Sequence, residues 1–336
     1  MRLNGAVAGL GRMGKIHAEN LRTHPNVTLR AVCSPDVDHC IWAKDHCGEA
    51  DVYHDLDTMI ETCELDFIFL VTPSPLHVAH IEKCLQRGLH VFCEKPLAVD
   101  LEGCRRLEEL AALFPTQNIM SGYMRRFDPS YLRMHEFVSE GKIGRPILFR
   151  GYSADADAAI ADYLPYAARS GGHFIDMSIH DIDLMSWMLN DLPTQVTALG
   201  GTFLHEELEP FGGDNAAAFF QMQSGTMVFL YTGRTASHGY QVETEIIGTK
   251  GSVRVGNNPS QDLVEFISAD GRVENYAQDF AERFDTAFKN ELNYFVAQVE
   301  AKRPCVPSVR ENTIATQIAL FAERAFQIKE TILWNE

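Results

Sequence analysis

The sequence predicts two domains. A doubly wound α/β domain with a parallel sheet is expected over residues 1–122, followed by an α+β domain with a large, mostly antiparallel open sheet over residues 123–336. Apolar strands alternate with helices of about 10–15 residues in the first part, as in βαβ units. In the second part, consecutive strand-like segments are separated by short turns, as in antiparallel sheets. The length of 336 residues suits two domains of roughly 100–200 residues each.

Predicted strands and helices alternate through the first domain. The run DFIFLV at residues 66–71 is almost entirely apolar, as expected of a parallel strand that is covered on both faces. The predicted strands are residues 3–8, 28–33, 66–71, 90–93 and 118–122. The predicted helices are residues 13–23, 36–47, 77–87 and 101–113. Because parallel strands need crossover connections, this order favours a doubly wound sheet.

The second domain is predicted to contain more strands than the first. The predicted strands are residues 147–152, 194–202, 216–222, 227–231, 242–247 and 252–255. Turn residues separate several of them, at 223–225, 248–251 and 256–259. The predicted helices are residues 129–140, 281–302 and 310–330. Strands joined by short turns indicate an open, mostly antiparallel sheet.

Composition and charge argue against several classes of protein. With 46% hydrophobic and 22% charged residues, the chain has the composition of a globular protein. Its net charge of −17 disfavours nucleic acids and anionic membranes, because both carry negative charge themselves. No stretch approaches the roughly 20 apolar residues of a membrane span, and no targeting segment is recognisable. We therefore expect neither a nucleic acid nor a membrane as a partner.

The eight cysteines indicate a reducing compartment. None forms a CxxC pair, and several lie in apolar runs, as buried thiols do. We therefore expect a cytoplasmic protein. The pairs His39–Cys40 and His46–Cys47 would lie on one helix face. A closed zinc site normally needs four ligands, however, and no second cluster supplies the others, so no metal is predicted.

A glycine-rich turn follows the first predicted strand. The segment GLGRMG is a GxGxxG motif between a strand and a helix, with Arg12 and Met13 inside it. Gly9 allows the tight turn, Gly11 lets the backbone approach a pyrophosphate, and Gly14 lets the helix pack closely. The amino end of the helix then offers N–H groups and a positive dipole end to the phosphates. This context predicts a Rossmann-type site for a nicotinamide dinucleotide.

The end of the second predicted strand bears on the choice between NAD and NADP. Ser34 stands where an acidic residue would bind the adenosine ribose. Asp36 and Asp38 follow, and either could reach the ribose hydroxyls. No arginine or lysine lies between Val32 and Ala43, although a 2′-phosphate usually calls for one. The sequence therefore favours NAD, with NADP possible.

Two segments carry candidate catalytic side chains. Glu94 and Lys95 directly follow a predicted strand, and ligands of open parallel sheets lie beyond the carboxyl ends of the strands. In the segment 171–183, a helix would place Asp176, His180 and Asp183 at i, i+4 and i+7 on one face. A carboxylate one turn from a histidine can fix its tautomer and stabilise its charged form. Apolar neighbours suggest that this helix is largely buried, and buried charges need partners or a polar cavity.

Four of these features together resemble a known family. The glycine loop, the turn TPSPLH at residues 72–77, the run HVFCEKPL at residues 90–97 and the Asp176/His180 helix occur in this order. They resemble the glucose–fructose oxidoreductase/inositol dehydrogenase/MocA (Gfo/Idh/MocA) oxidoreductase family over nearly the whole chain. The segment MRRFD at residues 124–128 is similar to the version found in the family's inositol 2-dehydrogenases.

The resemblance implies a hydride-transfer mechanism. His180 would be the general base, Lys95 would stabilise the oxygen that loses its proton, and Asp176 would bind a neighbouring hydroxyl and orient His180. The resemblance also assigns further residues to the cofactor: Thr72, Pro73, Pro75, His77 and Glu94. It assigns others to the sugar pocket: Arg125, Asp183 and Tyr240.

The chain also departs from the pattern of the family. Ser153 and Asp155 stand where the most similar inositol dehydrogenases are expected to have histidine and asparagine, at positions that should touch the substrate. Replacing an amide by a carboxylate changes which hydroxyl pattern or substrate charge is accepted. We therefore expect oxidation of a secondary hydroxyl of a cyclic polyol, such as an inositol, or of a pyranose, without a specified carbon.

Three alternatives remain open at this point. An NADPH-linked reductase of a keto-sugar would keep the same fold, and Ser34 is the feature that favours it. A non-catalytic sensor of the dinucleotide could have lost Lys95, Asp176 and His180, which this chain retains. A glycosidase that holds its dinucleotide tightly would be revealed by cofactor that stays bound through purification.

The second domain also predicts self-association. An open sheet leaves one apolar face uncovered unless another subunit packs on it. The alternating apolar residues of the segment 227–231 fit this arrangement. We therefore expect a homotetramer or a homodimer.

Overall fold

The computed structural model describes residues 2–168, 170–256, 260–268 and 271–334. They form two compact units. The first unit comprises Met1–Met124 and Thr286–Gln317, and the second comprises Arg125–Asp285 and Ile318–Glu336. The boundary at 122/123 stays a prediction, although the segment Thr286–Gln317 was expected in the second domain. It belongs to the first unit because residues such as Phe295 pack on strand residues there, at a ring distance of 5.5 Å from Phe69.

The first unit contains a six-stranded parallel sheet, which confirms the predicted doubly wound domain. Its strand order is β3-β2-β1-β4-β5-β6, and the order reverses between β1 and β4. The strands are β1 Leu3–Ala8, β2 Val27–Cys33, β3 Asp51–Tyr53, β4 Phe67–Leu70, β5 His90–Glu94 and β6 Ile119–Gly122. The helices are α1 Arg12–Thr23, α2 Val37–His46, α3 Leu56–Thr62, α4 His77–Gln86 and α5 Leu101–Leu113. The reversal point is where open α/β sheets bind ligands.

The second unit contains a seven-stranded sheet, which confirms the predicted open sheet. Its order is β12-β11-β7-β10-β9-β8-β15. The pair β7 and β10 is parallel, and the other neighbours are antiparallel. Its strands are β7 Pro146–Ala156, β8 Pro193–Gly201, β9 Asn215–Met222, β10 Met227–Ala236, β11 Gln241–Gly248, β12 Ser252–Val255 and β15 Ile332–Leu333. A separate hairpin pairs β13 Ser260–Ser268 with β14 Gly271–Tyr276.

Helices complete the described chain. They are α6 Pro129–Ser139, α7 Ile160–Ala167, α8 Ile179–Leu189, α9 Phe280–Ala301 and α10 Val309–Ile328. A π-helical turn, Phe174–Ser178, precedes α8. The elements that sequence reasoning missed are β3, α3, α7 and β15, with the hairpin β13–β14. The predicted turn at 256–259 lies mostly outside the described residues.

Alternation along the strands gives the second sheet one buried face and one accessible face. Phe220, Val228 and Leu230 are buried in β9 and β10, whereas Phe219 and Phe229 between them are exposed. Because side chains of a strand alternate between faces, one row packs into the core and the next faces solvent. The accessible face therefore carries aromatic side chains.

Candidate active site

The glycine loop of the first unit has the geometry that its motif predicts. Gly9 has φ of +95°, and a Cβ there would come within 2.3 Å of the Val71 carbonyl oxygen. A Cβ at Gly14 would come within 1.8 Å of the Gly9 oxygen, so only glycine allows this close packing. A Cβ at Gly11 would instead meet open space, with no atom of the described chain within 4 Å. That space lies where a pyrophosphate would approach the backbone, so the loop fits a dinucleotide.

The helix that follows this loop keeps its amino end available. Gly11 is the N-cap of α1, and among the described residues no side chain caps this end and no acid lies in its first turn. Other helices of the unit are capped by aspartates, such as Asp36 on α2 and Asp100 on α5. Arg12 and Met13 form the first turn of α1. An uncapped amino end suits phosphate binding because its N–H groups and dipole favour an anion.

Two turns at the carboxyl edge of the first sheet are tied together by His77. Its Nδ1 lies 2.8 Å from the Pro96 carbonyl oxygen, and its Nε2 lies 2.7 Å from the Thr72 carbonyl oxygen. The short 3₁₀ helix Ser74–Leu76, which contains Pro75, follows Pro73 in the first turn. Both turns continue strands that meet at this edge, β4 and β5. The predicted cofactor-lining residues of these turns are therefore held near one another within the unit.

Glu94 connects the catalytic candidate Lys95 to the cofactor helix. One carboxylate oxygen of Glu94 lies 2.8 Å from Nε2 of the buried His17 on α1. The other accepts a hydrogen bond of 3.3 Å from the Lys95 backbone N–H. Rings of Phe69, Phe92 and Phe288 surround His17. This packing fixes the backbone from which Lys95 projects.

Ser34 and Asp36 are engaged in local contacts at the end of β2. The buried Ser34 hydroxyl lies 3.1 Å from Nδ1 of His39 and accepts a hydrogen bond from the Asp36 N–H. Asp36 is exposed, and its carboxylate accepts from the N–H groups of Asp38 and His39. The bond from the His39 amide lowers the pKa of Asp36. An ionised carboxylate at this place would repel a 2′-phosphate.

In the second unit, exposure singles out two of the predicted catalytic residues. From His173 to Met185, every residue is buried except Asp176 and His180, which are half-buried. Asp176 lies in the π-helical turn and His180 in α8, so the regular i, i+4 spacing of an α-helix does not apply between them. Such turns inside helices are frequent at functional sites. Asp176 and His180 are therefore the two side chains of this segment that solvent or a ligand can reach.

A guanidinium that sequence reasoning missed holds Asp176. Arg234 on β10 donates from Nη2 to Asp176 over 2.6 Å and from Nη1 to Asp155 over 3.0 Å. The predicted strand ended at Tyr231, whereas β10 continues to Ala236. The residues after Tyr231, Thr-Gly-Arg-Thr-Ala, show no apolar alternation, so no periodic signal placed Arg234 on the sheet.

Two further buried ion pairs organise the other predicted substrate residues. Arg125 donates to Asp181 over 2.8 Å and to the Ser153 hydroxyl over 3.0 Å. Ser153 in turn donates to Asp181 over 2.6 Å. Burial raises the pKa of Tyr240, whose hydroxyl is hydrogen-bonded to Arg125. Arg125, Ser153 and Tyr240 are therefore brought together around Asp181, a residue that the sequence reasoning did not select.

Asp183 is paired with a different arginine. Both of its oxygens accept from Arg126, over 2.7 and 2.9 Å, and the Arg126 guanidinium lies over the Trp187 ring. Asp183 is 1% exposed. Its assignment to the substrate stays a prediction. Two adjacent arginines in an otherwise apolar context were the signal for buried carboxylate partners.

The described part of the chain contains no group of three or more His, Cys, Asp or Glu residues that could hold a metal ion. All eight cysteines are free thiols, and all but Cys63 are buried. Burial raises the pKa of Cys47 and of Cys104 to about 11, which leaves little reactive thiolate. Of the described helices, none is long and apolar enough to cross a membrane.

A glycine loop on a sheet of this order, with an uncapped helix behind it, defines a dinucleotide-binding protein of the Rossmann class. Comparison with known families agrees with this. Residues 3–117 match the model described as "Oxidoreductase family, NAD-binding Rossmann fold", and residues 131–254 match the "GFO/IDH/MocA C-terminal domain".

Individual relatives match along almost the whole chain. The NAD(+)-dependent scyllo-inositol 2-dehydrogenase of Bacillus subtilis is 32% identical over 96% of this chain and 93% of its own. A scyllo-inositol dehydrogenase of Lactobacillus casei, solved with NAD(H) and scyllo-inositol, is 36% identical, with a TM-score of 0.94 over 99% of both chains. The myo-inositol 2-dehydrogenase structure of Lactobacillus plantarum is 35% identical, with a TM-score of 0.96 over 100% of both chains.

The chain belongs to the GFO/IDH/MocA family, and it is an NAD-dependent oxidoreductase. This confirms the family, the enzyme class and the preference for NAD that the sequence predicted.

Proposed function

We propose that this enzyme oxidises a secondary hydroxyl of a cyclic polyol, such as an inositol, or of a sugar. The single observation that carries this proposal is the exposure of Asp176 and His180 on an otherwise buried segment. A carboxylate and an imidazole presented by one segment can bind two neighbouring hydroxyls and remove a proton from one of them. The relatives named as inositol dehydrogenases support a polyol as the substrate.

Three residues carry the proposed chemistry. His180 takes the hydroxyl proton, and Lys95 donates a hydrogen bond that stabilises the negative charge developing on the same oxygen. Asp176 binds a neighbouring hydroxyl and orients His180. When bound, NAD accepts the hydride from the carbon. Glu94, beside Lys95, contacts His17, and Asp176 accepts a hydrogen bond from Arg234. These contacts support fixed positions for Lys95 and Asp176 within their own units.

Binding roles follow for the other predicted residues. In the proposal, Gly9, Gly11, Arg12, Met13 and Gly14 hold the pyrophosphate, and Ser34 and Asp36 hold the adenosine ribose. The nicotinamide side is lined by residues of the two tied turns: Thr72, Pro73, Pro75, His77 and Glu94. The substrate is held by side chains of the second unit: Arg125, Ser153, Asp155, Asp183 and Tyr240.

We also propose that the enzyme acts in the cytoplasm as a homotetramer or homodimer. Eight free thiols suit a reducing compartment. The exposed phenylalanines of the second sheet suit burial against another copy of the chain.

The test is to follow absorbance of the reduced nicotinamide while the enzyme is offered NAD or NADP. The substrate panel contains myo-inositol, scyllo-inositol, glucose and xylose. We expect reduction of NAD with an inositol. We expect Lys95→Ala to lower kcat by about 10²- to 10⁴-fold, the usual contribution of a proton-transfer or charge-stabilising group.

The matched control is Lys83→Ala, which removes a lysine from an exposed ion pair with Asp57 on the first unit and is expected to leave kcat unchanged. An enzyme that reduces neither NAD nor NADP with any member of the panel would contradict the proposal.

A further inference from the structure

Arg234 bridges two carboxylates in the second unit. Its side chain is 6% exposed, against 15% for Asp176 and 32% for Asp155. One guanidinium nitrogen serves each carboxylate, at 2.6 and 3.0 Å. The ring of Tyr163 lies against the guanidinium, 3.5 Å from Cζ. The guanidinium is thus fixed on three sides.

The backbone of β10 is irregular where it carries this arginine. Its parallel register with β7 shifts between Gly233 and Ala236. The Arg234 N–H donates to the Asp214 carbonyl oxygen over 2.9 Å. Irregularities of this kind re-aim side chains beside functional sites. The shift here aims Arg234 between Asp155 of β7 and Asp176.

Arg234 is the charged partner that Asp155 and Asp176 share. Burial lowers the pKa of His173 to about 4, so this neighbour is neutral near pH 7. Burial also raises the pKa of Tyr163, which keeps the phenol neutral. Asp214, which directly precedes β9, is a further carboxylate close enough to act on His173, and its oxygens accept from the N–H groups of Phe203, Leu204 and His205. Arg234 is therefore the cation that offsets the repulsion between Asp155 and Asp176.

We propose that Arg234 is a positioning and specificity-determining residue, which locks Asp155 and Asp176 side by side as ionised acceptors for two hydroxyls of a neutral polyol. Ionised carboxylates accept hydrogen bonds and do not donate them, so substrate hydroxyls must supply the protons. The inference rests on the proposed function and adds the side chain that fixes these two acceptors, and with them the hydroxyl pattern that they accept.

Asp155 and Arg234 form a matched pair in this arrangement. An amide at position 155 would need no counter-charge, whereas a carboxylate there needs the arginine. Removing Arg234 alone takes the shared guanidinium away from both carboxylates. Removing the charges of both residues together leaves Asp176 beside a neutral amide. The two substitutions are therefore expected to be strongly non-additive.

The experiment compares Arg234→Met, Asp155→Asn, the double variant and Arg234→Lys. Each is assayed for kcat and KM with the best polyol, and titrated calorimetrically with that polyol in the presence of NADH. We expect Arg234→Met to weaken polyol binding about 30-fold or more, as for other buried charge pairs that lose one partner. The double variant should bind within about fivefold of Asp155→Asn. Arg234→Lys keeps the positive charge but lacks the two guanidinium nitrogens that reach the two carboxylates. Its affinity for the polyol should therefore lie between those of the wild type and Arg234→Met.

The acidic limb of the pH profile of kcat/KM distinguishes a positioning role of Arg234 from a purely structural one. This limb reports the groups that must be deprotonated, which here are Asp176 and the proposed base His180. Without the nearby guanidinium both groups are protonated more readily, so this limb should move to higher pH in Arg234→Met. The matched control is Arg283→Met, which breaks another buried arginine–carboxylate pair of the same unit, with Asp128 at 2.9 Å. It should lower stability without moving the pH limb or polyol affinity. NAD affinity should stay unchanged in all variants.

The outcomes distinguish the two proposals. If the wild-type enzyme neither binds nor oxidises any cyclic polyol, the proposed function fails, and this inference fails with it. If the wild type oxidises a polyol but Arg234→Met and Arg234→Lys keep its KM and pH limb, only the inference is overturned. Should Arg234→Met not fold, Arg234→Lys measured against Arg283→Lys decides the question in the same way.

Discussion

Burial divides the titratable residues of the segment 173–180 into two kinds. Asp176 and His180 keep access to solvent, whereas His173, three residues earlier than Asp176, is 2% exposed. Nε2 of His173 donates to the Thr232 carbonyl oxygen over 3.2 Å, so this nitrogen carries the proton. The same stretch of chain therefore supplies one structural imidazole and one candidate catalytic imidazole.

The structural imidazole makes stability depend on pH. Burial lowers the pKa of His173 from 6.5 to about 4. Between these values the unfolded chain binds a proton that the folded chain does not, so stability falls as the pH drops from 6.5 to 4. The loss attributable to His173 is about 3 kcal/mol over that window. The free energy of unfolding, measured with urea at several pH values, should fall less steeply between pH 6.5 and 4 in His173→Gln than in the wild type. This dependence of the free energy on pH is the slope to compare.

The control for this measurement is His238→Gln, at an exposed histidine of the same unit, which should leave the slope close to that of the wild type. Equal slopes for the wild type and His173→Gln would show that this histidine is not kept neutral by folding.

Site residues that belong to a sequence motif could be predicted individually, whereas a site residue outside any motif could not. Gly9, Gly11 and Gly14 follow from a spacing that reflects backbone geometry, so the structure reproduces their environments. Arg234 has no such motif, because its role depends on a register shift between β10 and β7. A partner chosen by strand register cannot be identified from spacing along one strand.

At the scale of elements, long periodic segments were predicted well and short ones were not. The helix predicted at 101–113 is α5, Leu101–Leu113. The strand β3 has three residues, too few to show alternation. The helix α3 is also short, although its buried residues Leu56, Met59 and Ile60 follow the i, i+3, i+4 pattern and could have revealed it. Length limits the signal, since periodicity needs at least two repeats.

Helix capping offers a test of the cofactor role of Asp36. This residue caps α2 through the N–H groups of Asp38 and His39, and Asp100 caps α5 through Gly103 over 2.7 Å. Replacing either by alanine should cost about 1 kcal/mol of stability. Only Asp36→Ala should also weaken NAD binding, by about tenfold, because it alone is proposed to bind the ribose. Fluorescence titration with NADH would measure this.

The same pair of variants reports on NADP. Loss of the Asp36 carboxylate removes a charge that repels a 2′-phosphate, so the preference for NAD over NADP should shrink in Asp36→Ala. Asp100→Ala should keep the wild-type preference. If both variants bind NADH equally well, Asp36 serves the helix alone.

At the scale of the whole molecule, the accessible face of the second sheet is arranged like an interface. Phe229 and Phe219 are cross-strand partners, and the rings of Tyr152 and Tyr231 stack 5.0 Å apart on the same face. Toward one edge, Arg150 pairs with Glu245 over 3.3 Å. An apolar, aromatic centre with charged residues at its margin is the usual composition of a subunit interface.

This composition leads to a test of self-association. Phe219 and Phe229 are 46% and 36% exposed, so aspartate at both positions should be tolerated by the folded chain. In a homo-oligomer, however, the two charges would be buried against another copy, where they have no counter-ion. The wild type should therefore scatter light as two or four copies of 37.7 kDa at micromolar concentration. The double variant Phe219→Asp/Phe229→Asp should approach the mass of one copy.

Leu113→Asp replaces an apolar residue that is 66% exposed on α5 and should keep the wild-type mass. A monomeric wild type would contradict the proposal, and an unchanged mass in the double variant would place the interface elsewhere on the surface.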